Sequence, residues 1–289
     1  MSVKKDIRRG ILYTTLFKYL NYFLQLLIST VLARILTPEE YGIVAIINVF
    51  VLFFLMLSAF GLGESIVQNQ ELSEFDLSSL FYISIILAIL FSSLFFFSAS
   101  FIASFYNNDE YINITRLLSL ALFFHTLNTV PSHSLRKAQK FRTIGLINLS
   151  IIIFSGITTI ILALNNFSYY ALVVKSILDA FLEMLLSFFF IRIKLFKGIS
   201  FKAFSNVFKF AVYQLLFNFL SFISRTFDIL IIGKYLGAVS LGYYERSTRL
   251  FSTVTSLSQV ISPVLHPVMS AYQNDKELLY KILRKVSKT

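Results

Sequence analysis

The sequence lacks cysteine and has few charged side chains and only three histidines. The absence of cysteine excludes disulfide bonds, thiolate metal sites and a cysteine nucleophile. The histidines show neither HExxH nor HxH spacing, so we expect no metal site and no catalytic residues. Charged residues make up 14% of the chain, against about 25% in soluble proteins. We therefore expect no water-soluble domain of any size.

What the chain has instead is a series of long apolar stretches, with 56% hydrophobic residues overall. A helix of about 20 apolar residues matches the ~30 Å hydrocarbon core of a bilayer, because each residue adds about 1.5 Å. One soluble core could not bury so many stretches, so the sequence predicts an all-α polytopic membrane protein. We predict about eight transmembrane helices, spans 1 to 8, at residues 11–35, 41–63, 79–106, 112–131, 144–164, 168–191, 207–236 and 242–267.

The connections between these spans alternate in charge. One set, with the two termini, holds 18 of the 26 Lys and Arg residues: Lys4, Lys5, Arg8, Arg9, Arg136, Lys137, Lys140, Arg142, Arg192, Lys194, Lys197, Lys202, Lys209, Lys276, Lys281, Arg284, Lys285 and Lys288. Because basic loops are retained in the cytoplasm, we predict that both termini are cytoplasmic. The net charge of +11 thus reflects membrane topology, and we expect no nucleic acid partner.

Four spans carry polar residues at every third or fourth position. Such a stripe marks a helix face that avoids lipid and faces protein or water. The stripes are Lys18, Asn21, Gln25 and Ser29 in span 1; Lys175, Asp179 and Glu183 in span 6; Gln214, Asn218, Ser221, Arg225 and Asp228 in span 7; and Glu245, Arg249, Ser252, Ser256 and Gln259 in span 8, with Arg246 beside the last.

Two explanations of these stripes are open. In the structural explanation, Lys175 and Asp179 pair within their helix, as do Arg225 and Asp228, and Lys18 reaches the inner membrane surface. In the functional explanation, a water-filled cavity has a cationic lining.

The cationic cavity is favoured for Lys18, Arg246 and Arg249, because these basic residues outnumber their acidic neighbour Glu245. For His125 and His133, we expect local hydrogen bonds at the inner end of span 4, with a proton relay as the alternative.

The chain also contains a weak internal repeat. Residues 34–42 and 234–242 align at an offset of 200, with Leu36 and Gly42 matching Leu236 and Gly242. Both segments join an outgoing helix to a returning one, six helices apart, as a parallel repeat requires. We therefore predict one complete six-helix lobe at 1–206, and the first two helices of a second lobe with a short cytoplasmic tail at 207–289.

Several motifs along the chain resemble one known family. These are LARILTPEEYG at 32–42, GLGESIVQ at 61–68, SLFY at 79–82, ASFYN at 103–107, IGKYL at 232–236 and LGYY at 241–244. The chain is similar to bacterial Wzx-type polysaccharide (O-antigen and lipopolysaccharide) flippases of the multidrug/oligosaccharidyl-lipid/polysaccharide exporter superfamily.

The resemblance implies export of a polyprenyl-pyrophosphate-linked oligosaccharide by alternating access. It also implies two lobes around a central cavity lined by spans 1, 2, 7 and 8. Such flippases have more helices than the eight predicted here, so we expect the chain to be truncated at its C-terminus and spans 7 and 8 to pack loosely on the first lobe. Expected partners are the lipid-linked oligosaccharide, membrane lipid and other polysaccharide-assembly membrane proteins.

These expectations assign roles to the stripe residues. Basic residues would bind the pyrophosphate, because charge-assisted hydrogen bonds strengthen where water is scarce. The predicted pyrophosphate contacts are Lys18, Arg246, Arg249 and Arg225, and the predicted sugar contacts are Asn21, Gln25, Asn218 and Gln259.

Three other functions stay open at this point. The chain could be a truncated fragment that transports nothing, or a multidrug or cation exporter of the same superfamily, whose cavity should be acidic or apolar. A membrane enzyme such as a glycan polymerase would need a large outer loop, and the predicted outer connections are short. We therefore expect no enzymatic activity. We also expect no cofactor, because no GxxxxGK[ST] nucleotide-binding motif is present.

Overall fold

A computed structural model describes the backbone of residues 3–59, 62–196, 198 and 201–257, and the side chains of 13–58, 62–196, 198, 212–248 and 251. In this part of the chain the secondary structure is entirely helical. The helices are α1 (Val3–Ile35), α2 (Pro38–Ala59), α3 (Leu62–Gln68), α4 (Glu74–Phe97), α5 (Ala99–Tyr106), α6 (Glu110–Lys137), α7 (Phe141–Leu164), α8 (Tyr170–Ile191), α9 (Phe201–Tyr235) and α10 (Gly237–Leu257).

Two predicted spans are divided in the structure. Span 2 becomes α2 and the short α3, with residues 60 and 61 outside the described backbone. Span 3 begins earlier than predicted, at Glu74, and is divided at Ser98 between α4 and α5. Ser98 keeps φ −72° and ψ −8°, and its N–H still donates to the carbonyl of Leu94 at 3.0 Å. This point is a bend, and Glu74–Tyr106 forms one apolar unit of 33 residues that is long enough to cross a membrane.

Five helices in the described part are long and apolar enough to cross a membrane: Tyr13–Ile35, Pro38–Ser58, Glu74–Tyr106, Phe141–Leu164 and Val212–Tyr235. The other three predicted spans correspond to α6, α8 and α10, with 28, 22 and 21 residues. At about 1.5 Å per residue each is long enough to span the bilayer. Helices α6 and α10 are less apolar on average, and α8 carries three charged residues, Lys175, Asp179 and Glu183. The all-α polytopic membrane fold is confirmed.

The tight turn between α1 and α2 follows from the sequence Thr-Pro-Glu-Glu. Pro38 is the first residue of α2, where its missing N–H costs no hydrogen bond. The N–H of Thr37 donates to Oε2 of Glu40 at 2.6 Å, and the N–H of Glu40 donates to Oγ1 of Thr37 at 3.3 Å. This reciprocal capping fixes where α2 begins.

The bundle has two chemically different ends. The turn end holds the connections α1–α2, α5–α6, α7–α8 and α9–α10, and it is tied together by hydrogen bonds from Ser168 to Glu40 and from Lys234 to the carbonyl of Phe105. The basic end holds the connections α3–α4, α6–α7 and α8–α9. There Lys194 pairs with Glu74 at 3.0 Å.

Helix α6 lies at the centre of the bundle, packed against α8, α4 and α2. Its residues Ile114, Leu118 and Leu122, one turn apart, are completely buried. By contrast, the apolar parts of α1 and α9, Tyr13–Ile35 and Val212–Tyr235, have few buried side chains, only 6% over the most apolar stretch of each. Helix α1 packs mainly on α7, where Gly145 and Gly156 leave room for Phe17 and Ile28.

The two repeat segments found in the sequence touch each other. A β-carbon added to Gly42 in α2 would lie 1.8 Å from the carbonyl oxygen of Ala238, and one added to Gly242 in α10 would lie 1.7 Å from that of Pro38. Pro38 and Ala238 are themselves 200 residues apart, so the contact is reciprocal. The expectation of loose packing is wrong for span 8, because α10 is in backbone contact with α2. It agrees with the structure for span 7, because the apolar part of α9, Val212–Tyr235, is largely exposed. The lobe boundary at residue 206 stays a prediction.

Candidate transport cavity

A cavity of about 790 Å³ lies inside the bundle, between α1, α2, α6, α8 and α10. One part of its wall is apolar and includes Val44, Val51, Leu118 and Leu172. The polar side chains that line it are Gln25, Ser29, Thr30, Arg34, Tyr41, Asn48, His125, Lys175, Ser176, Asp179, Glu245 and Arg246. A cavity of this size, with polar groups converging inside a membrane bundle, is suited to a hydrophilic ligand.

The cavity lining contains charges of both signs. Arg34, Lys175 and Arg246 are basic, and Asp179 and Glu245 are acidic. The lining is therefore only slightly cationic. Lys175 Nζ lies 2.5 Å from Asp179 Oδ2, which confirms the pairing predicted from their spacing. The second carboxylate oxygen, Oδ1 of Asp179, is buried without a hydrogen-bond partner among the described residues.

Arg246 is the best-defined basic group of this lining. Its Nη2 donates to the carbonyl of Leu36 at 2.6 Å, and its guanidinium lies 4.7 Å from the centre of the Tyr41 ring. Both contacts hold the planar group in place at the turn end. Its Nε is buried and finds no acceptor among the described residues. Because this guanidinium is held in place and lines the cavity, its remaining N–H groups can bind a phosphate or carboxylate oxygen.

Two of the predicted contact residues line this cavity, namely Gln25 and Arg246. Lys18 and Asn21 lie on α1 nearer to the basic end, outside the lining, and Lys18 Nζ is 5.8 Å from the ring centre of Tyr22. The Oδ1 atom of Asn21 is buried without a hydrogen-bond partner in the described part of the chain.

The remaining predicted contacts lie on α9 or beyond the described side chains. Asn218 accepts a hydrogen bond from Gln214 at 3.2 Å, and Arg225 is exposed. The predicted pairing of Arg225 with Asp228 is not observed, and Asp228 instead accepts a hydrogen bond from Tyr244. The side chain of Arg249 and all of Gln259 lie outside the described residues.

Comparison with known proteins identifies the family. The sequence profile of a family described as polysaccharide biosynthesis protein matches residues 31–289, which is most of the chain. The chain belongs to the polysaccharide biosynthesis protein family. The resemblance to Wzx-type flippases is confirmed.

Three relatives in this family illustrate the likeness. The chain is 22% identical to the teichuronic acid biosynthesis protein TuaB of Bacillus subtilis, over 94% of this chain and 58% of the relative. It is 24% identical to the lipopolysaccharide biosynthesis protein WzxC of Escherichia coli, over 98% and 59%. It is 23% identical to the succinoglycan biosynthesis transport protein ExoT of Rhizobium meliloti, over 94% and 56%. The chain thus spans less than two thirds of the length of these relatives. No solved structure matches it significantly.

The cavity of this family member differs from the one that the resemblance implied. Spans 1, 2 and 8 contribute to it as expected, but α6 and α8, which are spans 4 and 6, take the place of span 7. The contribution of α8 was visible in the sequence as the stripe of Lys175, Asp179 and Glu183. In α6 the only such signal was His125, because the other lining residues, Leu118 and Ala121, are indistinguishable from a lipid-facing surface. In the described part of the chain, no group of three His, Cys, Asp or Glu side chains could hold a metal ion.

Proposed function

We propose that this chain takes part in the export of a polyprenyl-pyrophosphate-linked oligosaccharide across a bacterial inner membrane. The observation that carries the proposal is the cavity of about 790 Å³ inside the bundle, whose mostly apolar wall carries a set of polar and charged side chains. Membership of the polysaccharide biosynthesis protein family, with relatives named for lipopolysaccharide biosynthesis and succinoglycan transport, supports this cargo. In this proposal the chain is a transporter and not an enzyme.

The cavity offers groups for both parts of the substrate. Arg246 and Arg34 would hold phosphate oxygens, because charge-assisted hydrogen bonds are strong where water is scarce. Gln25, Ser29 and Asn48 would bind sugar hydroxyls. Three basic side chains against two acidic ones favour an anionic cargo over the organic cations of a multidrug exporter.

The other predicted contacts keep their proposed roles along the same route. Lys18 and Asn21 would meet the substrate nearer the basic end, where α1 continues beyond the cavity. Arg225 and Asn218 would act from α9, and Arg249 and Gln259 from the predicted span 8. The lipid tail would remain in the bilayer while the glycan crosses, and the two ends of the cavity would open in turn.

The proposed orientation follows from the charge of the two ends. The basic end, with Arg136, Arg192 and Lys194, would face the cytoplasm, and the turn end the opposite side. Because backbone contact between α2 and α10 closes the turn end, the substrate would enter from the basic end.

Complementation tests the proposal. The chain is expressed in a strain that lacks its own flippase, and surface glycan is quantified. We expect export by the unmodified chain and a loss of about tenfold or more for Arg246→Ala, because a charge-assisted contact is removed. Lys194→Ala, an exposed basic residue at the basic end, is the matched control and should export normally. Absence of export by the unmodified chain at normal membrane expression would show it to be a non-transporting fragment.

A further inference from the structure

Four ionisable side chains meet between α6 and α8. Lys175, Asp179 and Glu183 occupy successive turns of α8, and His125 of α6 lies beside them. His125 Nδ1 is 3.9 Å from Glu183 Oε2, and each of these two side chains is about one third exposed (34% and 33%). The three α8 residues cover about 12 Å of helix, starting five residues after Tyr170 and ending eight before Ile191. The cluster therefore lies in the middle of the membrane-spanning part.

The charges of this cluster do not cancel at neutral pH. Lys175 and Asp179 form an ion pair and neutralise each other. That leaves the carboxylate of Glu183, and its partner His125 carries a positive charge only when it is protonated. With neutral His125 the cluster holds one uncompensated negative charge in a low-dielectric interior, which is costly. One added proton removes that charge.

Neighbouring helices bring no other charge to the His125–Glu183 pair. The helices packed beside α6 and α8 are α2, α4 and α7, and they carry no acidic or basic side chain over residues 42–58, 77–97 and 143–164. Helix α3, with Glu64, meets α6 two turns away at His133, and α5 meets it at Tyr111. Across the cavity the charged groups are those of α1 and α10, namely Arg34, Glu245 and Arg246.

We propose that His125 and Glu183 share one exchangeable proton, and that this pair is a proton-binding site of the transport cavity. The cavity supplies water to it, because His125 and Asp179 are part of the lining and Glu183 is one turn further along α8. The proton moves from water onto the pair and leaves by the same route. No covalent bond is made or broken apart from those to the proton.

Proton binding is then linked to closure of the cavity. When the cavity closes and loses water, an uncompensated carboxylate becomes more costly, so the closed state binds the proton more tightly. By reciprocity, proton uptake favours the closed state. This linkage rests on the proposed function in one respect, because it assumes that the cavity is the export route.

A proton suits this site better than a sodium ion. A metal ion needs several ligands, and among the described residues no group of three His, Cys, Asp or Glu side chains could hold one. The ammonium group of Lys175 also occupies the carboxylate of Asp179 that a cation would otherwise use.

The absence of cysteine allows a direct test by thiol labelling. Ser176→Cys places a reporter in the cavity lining, and Glu71→Cys places a reference thiol in an exposed connection at the basic end. Each full-length variant is reconstituted in vesicles without glycan and labelled with a membrane-impermeant maleimide. The labelling rate of the Ser176→Cys variant is divided by that of the Glu71→Cys variant. This ratio corrects for the pH dependence of thiolate chemistry. We expect the ratio to fall about tenfold from about pH 8 to about pH 5, the range in which histidine titrates.

Variants at Glu183 decide the assignment. In the Ser176→Cys background, Glu183→Gln removes the charge, so the ratio should be low and independent of pH. Glu183→Asp keeps a carboxylate and should restore the fall, which shows that the site tolerates substitution. Glu74→Gln, in an exposed ion pair with Lys194, is the control and should leave the fall unchanged.

Three outcomes would overturn the proposal. The first is a labelling ratio independent of pH with Glu183 present, and the second is an equal fall in Glu183→Gln. The third comes from repeating the labelling with choline in place of sodium, and it is a fall whose size changes with the cation. Because the labelling uses no substrate, these results are separate from the export assay. Absence of export in the complementation strain would contradict the proposed function but would not contradict the proton site.

Discussion

Gly42 of α2 and Gly242 of α10 pack reciprocally, each against a backbone carbonyl of the other helix. The residues contacted, Ala238 and Pro38, are related by the same offset of 200 residues as the glycines themselves. The internal repeat is therefore also a local pseudo-twofold contact between two helix starts. Only glycine allows two backbones to approach this closely, which explains why this residue stands at both positions.

Any side chain at either glycine should separate α2 from α10. We expect Gly42→Ala and Gly242→Ala each to destabilise the purified protein by about 1–3 kcal/mol, because the new β-carbon overlaps a backbone oxygen that cannot move alone. Thermal unfolding in detergent measures the effect. Gly237→Ala is the comparison, since nothing lies within 4 Å of its β-carbon and only its φ of +79° is unfavourable. Equal loss of stability in all three variants would contradict the close contact.

The topology follows from the charge of the two bundle ends. Alkaline phosphatase fused after Lys140, in the α6–α7 connection, should be inactive because this end is predicted to be cytoplasmic. The same enzyme fused after Asn108, in the α5–α6 connection, should be active. Activity measured in whole cells decides between the two orientations, and the reverse pattern would invert the proposed direction of substrate entry.

The ion pair in α8 allows a double-mutant test. Lys175→Leu leaves the carboxylate of Asp179 without its partner, and we expect a loss of about 1–3 kcal/mol of unfolding free energy. The loss is smaller than for a fully buried pair because the two side chains are 28% and 32% exposed. Combining Lys175→Leu with Asp179→Leu should recover much of the stability, as measured by thermal unfolding.

The control for this cycle is the exposed pair of Lys194 and Glu74, with exposures of 69% and 64%. Lys194→Leu should change the unfolding free energy by less than about 1 kcal/mol. If the double variant at Lys175 and Asp179 were less stable than Lys175→Leu alone, the two side chains would not depend on each other as described.

Hydrophobic length and residue spacing were enough to predict the helices and one ion pair. The apolar runs predicted a helical membrane protein, because backbone N–H and C=O groups in lipid must form their hydrogen bonds within a helix. The four-residue spacing of Lys175 and Asp179 gave their pairing because such residues lie on one helix face. These are local relationships, which a single sequence contains.

The surroundings of a helix face could not be predicted in the same way. The stripe on α9 with Asn218 and Arg225 has the same periodicity as that on α8, yet only the α8 stripe meets the cavity. Periodicity shows which residues share a face, and tertiary packing decides what that face touches. Arg246, one position off its stripe, lines the cavity because Leu36 and Tyr41 hold it there.

The pairing of α6 with α8 also bears on how the protein is made. A ribosome-bound translocon releases helices into lipid according to their hydrophobicity, and each charge near a helix centre costs about 2.5–3.5 kcal/mol. Helix α8 has Lys175, Asp179 and Glu183 in its middle, so it is poorly suited to pass from the translocon into lipid without a partner helix. Its partner α6, which supplies His125, is synthesised earlier. Stable insertion of α8 therefore requires α6 to stay close to the translocon until α8 has emerged, so that biogenesis proceeds by helix pairs at this step.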